Sequence, residues 1–127
     1  MKRTVLEIYG LAVCFVTVVC AAVSLGIGIY DIIEIVAPEF TLSSYEHGPH
    51  QSNEAFFRGA EKEAQGLSEG ERTKRRLSSY AMAVRGERRK GVQNLVIVSI
   101  ILVIDAIVFM LHWRLARRAR EAVMSAS

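Results

Sequence analysis

The chain has 127 residues, of which 51% are hydrophobic and 23% are charged, and its formal net charge is +3. This length allows one small domain. The hydrophobic residues collect in two runs near the ends of the chain rather than spreading along it, and this pattern argues against a soluble globular domain.

The first hydrophobic run predicts a transmembrane helix. After a short basic tail at residues 1–4, residues 5–37 contain only three charged side chains, those of Glu7, Asp31 and Glu34. About 18 mostly apolar residues suffice to cross a bilayer core roughly 30 Å thick as a helix. The run continues well past the core of a signal peptide, so we expect it to stay in the protein.

A polar insert follows the first run. Residues 38–67 contain both prolines and many turn formers, which predict an irregular connection that includes a short amphipathic helix. Ser68 and Glu71 have the spacing of a capping box, in which each residue satisfies a free backbone N–H group of the other. A basic helix leading into the membrane is therefore predicted over residues 68–90.

The second hydrophobic run, at residues 91–113, predicts a second transmembrane helix, and a basic tail follows at residues 114–127. Only Gly86 and Gly91 interrupt the helical pattern before the run, so we expect this helix to begin earlier and to extend beyond the bilayer. The sequence as a whole predicts an all-α membrane protein, with two transmembrane helices in an antiparallel hairpin and a helical polar insert.

Basic residues close to the ends of a membrane span are retained on the cytoplasmic side. Lys2 and Arg3 precede the first run, whereas residues 38–52 after it contain no Lys or Arg. The second run has basic residues on both sides and does not discriminate. We therefore predict a plasma or inner membrane protein with both termini in the cytoplasm. An insert on the cytoplasmic face is the alternative.

Several polar side chains lie at membrane depth. Asp105 is the only charged residue of the second run. It either holds helices together by hydrogen bonding, handles protons or ions, or pairs with a basic residue of another membrane protein. Asp31 and Glu34 fall level with Gln93 and Asn94, which predicts hydrogen bonds between the helices. The alternative is an acidic mouth that attracts cations.

Small residues form a stripe along the first helix. The stripe contains Thr17, Cys20, Ser24 and Gly28. Small side chains allow two membrane helices to approach closely. We therefore predict that this stripe is the helix contact surface, either within the hairpin or between copies of the chain.

The insert contains the only cluster of residue types that commonly bind metals. Glu46, His47, His50 and Glu54 supply two imidazoles and two carboxylates over nine residues. They form either a metal site, a loop that responds to pH through its histidines, or a set of solvated side chains. The Gly-Pro step between the two histidines argues against a helical metal-binding geometry.

Basic side chains flank the second run, and we expect them to contact lipid head groups, with Trp113 as an interfacial anchor. They are Arg85, Arg88, Arg89, Lys90, Arg114, Arg117 and Arg118. No aromatic residues alternate with them and no nucleic-acid-binding motif is present, so no nucleic acid partner is predicted. Glu7 is expected to pair with Arg114.

The sequence contains no nucleophile with an adjacent base, no phosphate-binding loop and no cofactor motif, so we expect neither enzymatic activity nor a cofactor, and no small-molecule substrate is identifiable. The leading hypothesis is a small two-pass protein that acts through interaction, as a homo-oligomer or an accessory subunit of a membrane assembly. The alternative is a homo-oligomeric ion or proton pathway that uses Asp105 with the acidic mouth. A third hypothesis is a membrane-tethered metal or pH sensor that uses the histidine loop.

Overall fold

The computed structural model describes residues 5–125, with only the backbone of Val123. The predicted tail at residues 1–4, and residues 126–127 at the end of the predicted basic tail, lie outside the described residues. Every secondary structure element in the described part of the chain is helical.

Two long helices dominate the fold. Helix α1 covers Val5–Val36 and helix α6 covers Glu69–Ser125. Short elements connect them, namely α2 (Pro38–Thr41), α3 (Ser44–His47), a 3-10 helix (Gly48–Gln51), α4 (Asn53–Phe56) and α5 (Glu61–Ala64). Both long helices contain an 18-residue window apolar enough to span a membrane, with a mean hydropathy of 2.5 in α1 and 2.8 in α6.

Helix α6 begins at the predicted capping box, which the structure confirms. The backbone N–H of Ser68 donates to Oε2 of Glu71 at 2.8 Å, and the backbone N–H of Glu71 donates to Oγ of Ser68 at 3.3 Å. From there the helix runs for 57 residues without a break at Gly86 or Gly91. At 1.5 Å per residue it is about 85 Å long, far more than a bilayer core requires.

The contacts divide the chain into two units, which are described separately. The first unit joins the residues up to Tyr30 with those from Asn94 onward. In it, Gly10 packs against Ala116, and Gly28 packs against Val98. Residues with higher numbers in α1 therefore contact residues with lower numbers in α6.

The contact face of α1 in the first unit is made of small and polar residues. Its buried members are Glu7, Gly10, Cys14, Thr17, Ser24 and Gly28. The buried or half-buried members on α6 include Leu95, Val98, Leu102, Asp105, Phe109, His112 and Ala116. We call these two sets the helix seam. Their spacing of three, four or seven residues is that of a coiled-coil contact.

The second unit is Asp31–Gln93. Its buried apolar residues include Leu42 and Phe57, which are both 7% exposed. Polar contacts attach the insert to the first part of α6. Asn53 donates to Oγ1 of Thr73 at 2.9 Å, and the guanidinium of Arg76 donates to the carbonyl of Gln51 at 2.8 Å.

The insert differs from the predicted irregular connection with one amphipathic helix. It contains a series of four-residue helical turns instead. Gly59 adopts a φ of 90°, a left-handed conformation that interrupts a helix between α4 and α5. The predicted apolar face is consequently not continuous, and Phe57 is buried inside the unit.

Candidate functional site

The two most deeply buried side chains among residues 5–125 are acidic. Asp31 and Glu34 are each 1% exposed, although both belong to an otherwise apolar helix. They lie three residues apart and therefore on neighbouring positions of one helix face. We call them the acid pair. Because they are buried, the chain by itself does not present them as the open acidic mouth that was the alternative interpretation of the sequence.

The backbone of α6 packs directly against the acid pair at Gly91. A Cβ atom on this residue would lie 2.8 Å from Cβ of Glu34, 2.9 Å from the carbonyl oxygen of Asp31 and 3.2 Å from Oε2 of Glu34. Only glycine fits this approach without a shift of one helix. Gly91 therefore allows the backbone of α6 to cover the two carboxylates.

Lys90 provides the cationic partner of the acid pair. Its Nζ atom lies 3.3 Å from Oε1 of Glu34 and 3.8 Å from Oε1 of Glu87. The Lys90 side chain is 60% exposed whereas Glu34 is 1% exposed, so the long lysine stem connects a buried carboxylate with the surface. The sequence missed this role because it placed Lys90 among the lipid-facing residues.

The predicted amide partners of the acid pair take other positions. Gln93 is exposed and Asn94 is half-buried. Glu34 makes its ion pair with Lys90 because the acids face α6 at Gly91, next to Lys90 in sequence. Counting residues from the ends of the apolar runs placed the two helices a few residues out of register.

One oxygen of each acid has no partner. Oδ2 of Asp31 and Oε2 of Glu34 are buried without a hydrogen bond in the described part of the chain. Buried polar atoms almost always have a hydrogen-bond partner, so each exception calls for an explanation. The acid pair therefore combines near-complete burial with unsatisfied acceptor capacity.

Asp105 lies on the helix seam of the first unit, half-buried, and its Oδ2 atom is buried with no hydrogen-bond partner among the described residues. It borders a pocket of about 350 Å³ together with Thr17, Val18, Ala21, Leu102, Ala106, Phe109 and Met110. Asp105 thus lies on the side of α6 that faces α1, near Thr17.

The predicted contact stripe agrees with the structure at three of its four positions. Thr17, Ser24 and Gly28 are buried, but Cys20 is exposed. The α1 residues of the helix seam are separated by alternating steps of three and four positions. Cys14 falls on one of these positions and Cys20 does not. Cys14 is buried, and its Sγ atom lies 3.8 Å from the carbonyl oxygen of Phe109.

Glu7 pairs with Arg120 and not with Arg114, as the sequence had predicted. The Nε atom of Arg120 lies 3.2 Å from Oε1 of Glu7, whose side chain is 5% exposed. The partner is six residues further along α6 because Gly10 faces Ala116. The prediction was wrong because the part of α6 opposite Glu7 lies further along the helix than the end of the apolar run indicated.

The histidine loop makes contacts within the second unit. No group of three or more His, Cys, Asp or Glu residues in the described ranges is arranged to hold a metal ion, and this includes Glu46, His47, His50 and Glu54. Nε2 of His50 lies 3.0 Å from Oγ of Ser79, and its Nδ1 contacts the carbonyl of Glu46. The two histidine rings also contact the Tyr80 ring.

The predicted lipid-facing residues are all exposed, and they comprise Arg85, Arg88, Arg89, Lys90, Trp113, Arg114, Arg117 and Arg118. Three of them also contact other side chains of the described chain. Lys90 pairs with Glu34, and Arg117 lies 3.2 Å from Glu121 in an exposed ion pair one helical turn apart. The Trp113 ring stacks on the Phe109 ring, with centroids 6.0 Å apart.

Comparison with protein-family models, with curated proteins and with solved structures finds no match to this chain.

Proposed function

We propose that the chain is a two-pass integral membrane protein. In this proposal α1 and α6 form an antiparallel transmembrane hairpin that acts through interaction, as a homo-oligomer or as an accessory subunit of a membrane assembly. The observation that carries the proposal is the reversed distribution of polarity on α1. Its buried side chains include Glu7, Thr17, Ser24, Asp31 and Glu34, whereas its large apolar side chains are exposed.

This distribution supports an apolar surrounding for both helices. Only 22% of the apolar window in α1 and 6% of that in α6 are buried within the chain. The central helix of a soluble protein is hydrophobic all round because it is buried all round. Exposed apolar surface on this scale calls for lipid or for apolar faces of other membrane helices.

The outer face of α6 offers a surface for a further helix. A groove of about 440 Å³ is lined there by Leu95, Val96, Ser99, Ile100, Val103 and Ile104. Ser99 is the small residue of this set, and its hydroxyl donates to the carbonyl of Leu95 at 2.7 Å. Its hydrogen bond is thus satisfied within the helix, so an apolar neighbour can cover it without leaving it unpaired.

The mass of the full chain in lipid nanodiscs, measured by native mass spectrometry, tests this proposal. If the chain self-associates, we expect a defined homo-oligomer. Ser99→Trp should disrupt this oligomer, and Val16→Trp on the lipid-facing side of α1 should leave it intact. Val16 is 58% exposed and serves as the matched control. A chain that stays monomeric, and is equally stable when no other membrane protein is produced with it, contradicts the proposal.

The two cysteines test the packing of α1 in the same preparation. We expect a membrane-permeable maleimide to react with the exposed Cys20 in Cys14→Ser, and to leave the buried Cys14 unlabelled in Cys20→Ser. Equal labelling of both cysteines would show that α1 does not bury the face described here.

For the orientation, we propose a plasma or inner membrane location with both termini in the cytoplasm. Lys2 and Arg3 before the first apolar run support it, since residues 38–52 after that run contain no Lys or Arg and basic residues near a span are retained on the cytoplasmic side. The second apolar run has basic residues on both sides and does not discriminate. Reporter fusions at each terminus test the orientation, and a periplasmic or extracellular signal from either one contradicts it.

A second candidate function is a homo-oligomeric ion or proton pathway through Asp105. The observation that favours it is the buried Oδ2 atom of Asp105, which has no hydrogen-bond partner among the described residues and borders a pocket. An ionisable residue at membrane depth is by default a functional candidate. Proton or cation flux into proteoliposomes that is lost in Asp105→Asn supports this function. Absence of flux from a confirmed oligomer excludes it.

A further inference from the structure

The acid pair of the second unit has more negative charge than its described neighbours balance. Asp31 and Glu34 supply two carboxylates, and Lys90 supplies one ammonium group, 3.3 Å from Oε1 of Glu34. A further charged group beside Lys90 is Glu87, which is itself an acid and whose side chain is 11% exposed. If both buried acids are ionised, one negative charge remains uncompensated.

The protein itself excludes solvent from the acid pair. Both residues are 1% exposed, and the backbone of α6 at Gly91 covers them so closely that a methyl group would not fit. A buried charge without a partner is strongly unfavourable, because water no longer solvates it. This burial arises within the chain, so the argument does not depend on a membrane or on the proposed function.

The free atoms show where an additional positive charge would bind. Oε1 of Glu34 is occupied by Lys90, whereas Oε2 of Glu34 and Oδ2 of Asp31 are buried with no hydrogen-bond partner in the described part of the chain. Two unsatisfied acceptors on neighbouring positions of one helix face can share a proton or bind a small cation. Carboxylate oxygens are suitable ligands for both.

We infer that Asp31 and Glu34 form a binding site for one monovalent cation, either a proton or a sodium ion. The cation balances the carboxylate that Lys90 leaves uncompensated and satisfies the buried oxygens. Glu7 provides an internal comparison, because it is 4% exposed and pairs with Arg120 at 3.2 Å. The acid that lines the same pocket, Glu121, is exposed and pairs with Arg117.

The test uses the purified full chain in detergent micelles, with Asp31→Asn as the principal variant and Glu7→Gln as the matched control. Infrared difference spectroscopy detects the carbonyl stretching band of a protonated carboxylic acid. The midpoint of thermal unfolding is measured in parallel in sodium chloride and in choline chloride at equal ionic strength. In Asp31→Asn the Glu34 carboxylate and Lys90 balance each other, so we expect no further cation to bind.

The two measurements distinguish the cations. A carboxylic acid band that persists in both salts, and that loses intensity in Asp31→Asn but not in Glu7→Gln, identifies a proton. If Asp31→Asn leaves the band unchanged and sodium raises the wild-type midpoint relative to choline, a loss of that rise in Asp31→Asn alone identifies sodium. The inference is overturned if the wild type shows neither signal, or if Asp31→Asn retains the wild-type response.

Lys90→Met keeps the test decisive if Asp31→Asn does not fold. The Lys90 side chain is 60% exposed, and its removal leaves both acids without a described cation. We expect Lys90→Met to strengthen the acid band or the sodium response relative to wild type. An unchanged signal in this variant would show that the acid pair does not bind the cation.

Discussion

Replacement of Gly91 by alanine tests the close approach of α6 to the acid pair. The new Cβ atom would lie 2.8 Å from Cβ of Glu34 and 2.9 Å from the carbonyl oxygen of Asp31. Neither atom is the end of a flexible side chain, so one of the helices has to move. That movement would also disturb the ion pair between Glu34 and Lys90.

The expected loss of unfolding free energy follows from two opposing effects of the substitution. Alanine in place of glycine within a helix stabilises it by about 1 kcal/mol, whereas forcing an extra methyl group into a packed contact costs about 1–3 kcal/mol. Gly86→Ala isolates the first term, because no atom lies within 4 Å of the Cβ position at this residue of the same helix. Gly91→Ala should therefore be less stable than Gly86→Ala by about 1–3 kcal/mol.

The assay is reversible unfolding of the purified chain by a graded mole fraction of sodium dodecyl sulfate in mild detergent, followed by helical circular dichroism. Wild type, Gly91→Ala and Gly86→Ala are compared under identical conditions. If Gly91→Ala stabilises the protein as much as Gly86→Ala does, the backbone of α6 does not cover the acid pair, and the reasoning about their burial fails.

Three further predictions concern the capping box of α6, the ion pair between Glu7 and Arg120, and the Glu61 carboxylate. Ser68→Ala removes the cap of α6 and should cost about 0.5–2 kcal/mol, measured as faster amide hydrogen exchange in the first turn of the helix; unchanged exchange would contradict the capping box. Arg120→Met breaks the ion pair between Arg120 and the buried Glu7 carboxylate, so it should destabilise the chain in the detergent assay by more than Arg117→Met, which breaks an exposed ion pair worth up to about 1 kcal/mol; equal losses would refute the burial of the first pair. A hydrogen bond from a backbone N–H group two residues earlier lowers the pKa of Glu61 from its ordinary value of 4.5. The folded pKa is the lower one, so this stabilisation is present above the unfolded value and is lost as the pH falls through the folded value; an NMR titration of Glu61 with an ordinary midpoint would contradict it.

The sequence predicted the elements whose causes are local. Apolar runs of sufficient length identified both long helices, and the spacing of Ser68 and Glu71 identified the start of α6. A capping box works through residues three positions apart, and hydropathy accumulates along a segment, so neither requires knowledge of distant neighbours. The continuity of α6 through Gly86 was predictable for the same reason.

The sequence did not determine the register between α1 and α6. Residue counts from the ends of the apolar runs predicted that Glu7 pairs with Arg114 and that the acid pair binds the side-chain amides of Gln93 and Asn94. The structure instead pairs Glu7 with Arg120 and Glu34 with Lys90. Register depends on which surfaces interlock, and here the fit of small residues such as Gly10 and Gly91 decides it. Seam spacing also explains why Cys20 is exposed while Cys14 is buried.

The sequence by itself thus determined the composition of the chain, its two apolar helices, and the presence of Asp31, Glu34 and Asp105 within them. Only the tertiary structure decided that the two acids of the acid pair are buried by the protein, that Lys90 pairs with Glu34, and that two of the acid oxygens lack hydrogen bonds among the described residues. The physical reason is that the charge of a residue follows from its own side chain, whereas its solvation depends on which distant parts of the chain pack against it. Here the backbone of α6 approaches the acid pair closely because Gly91 has no side chain.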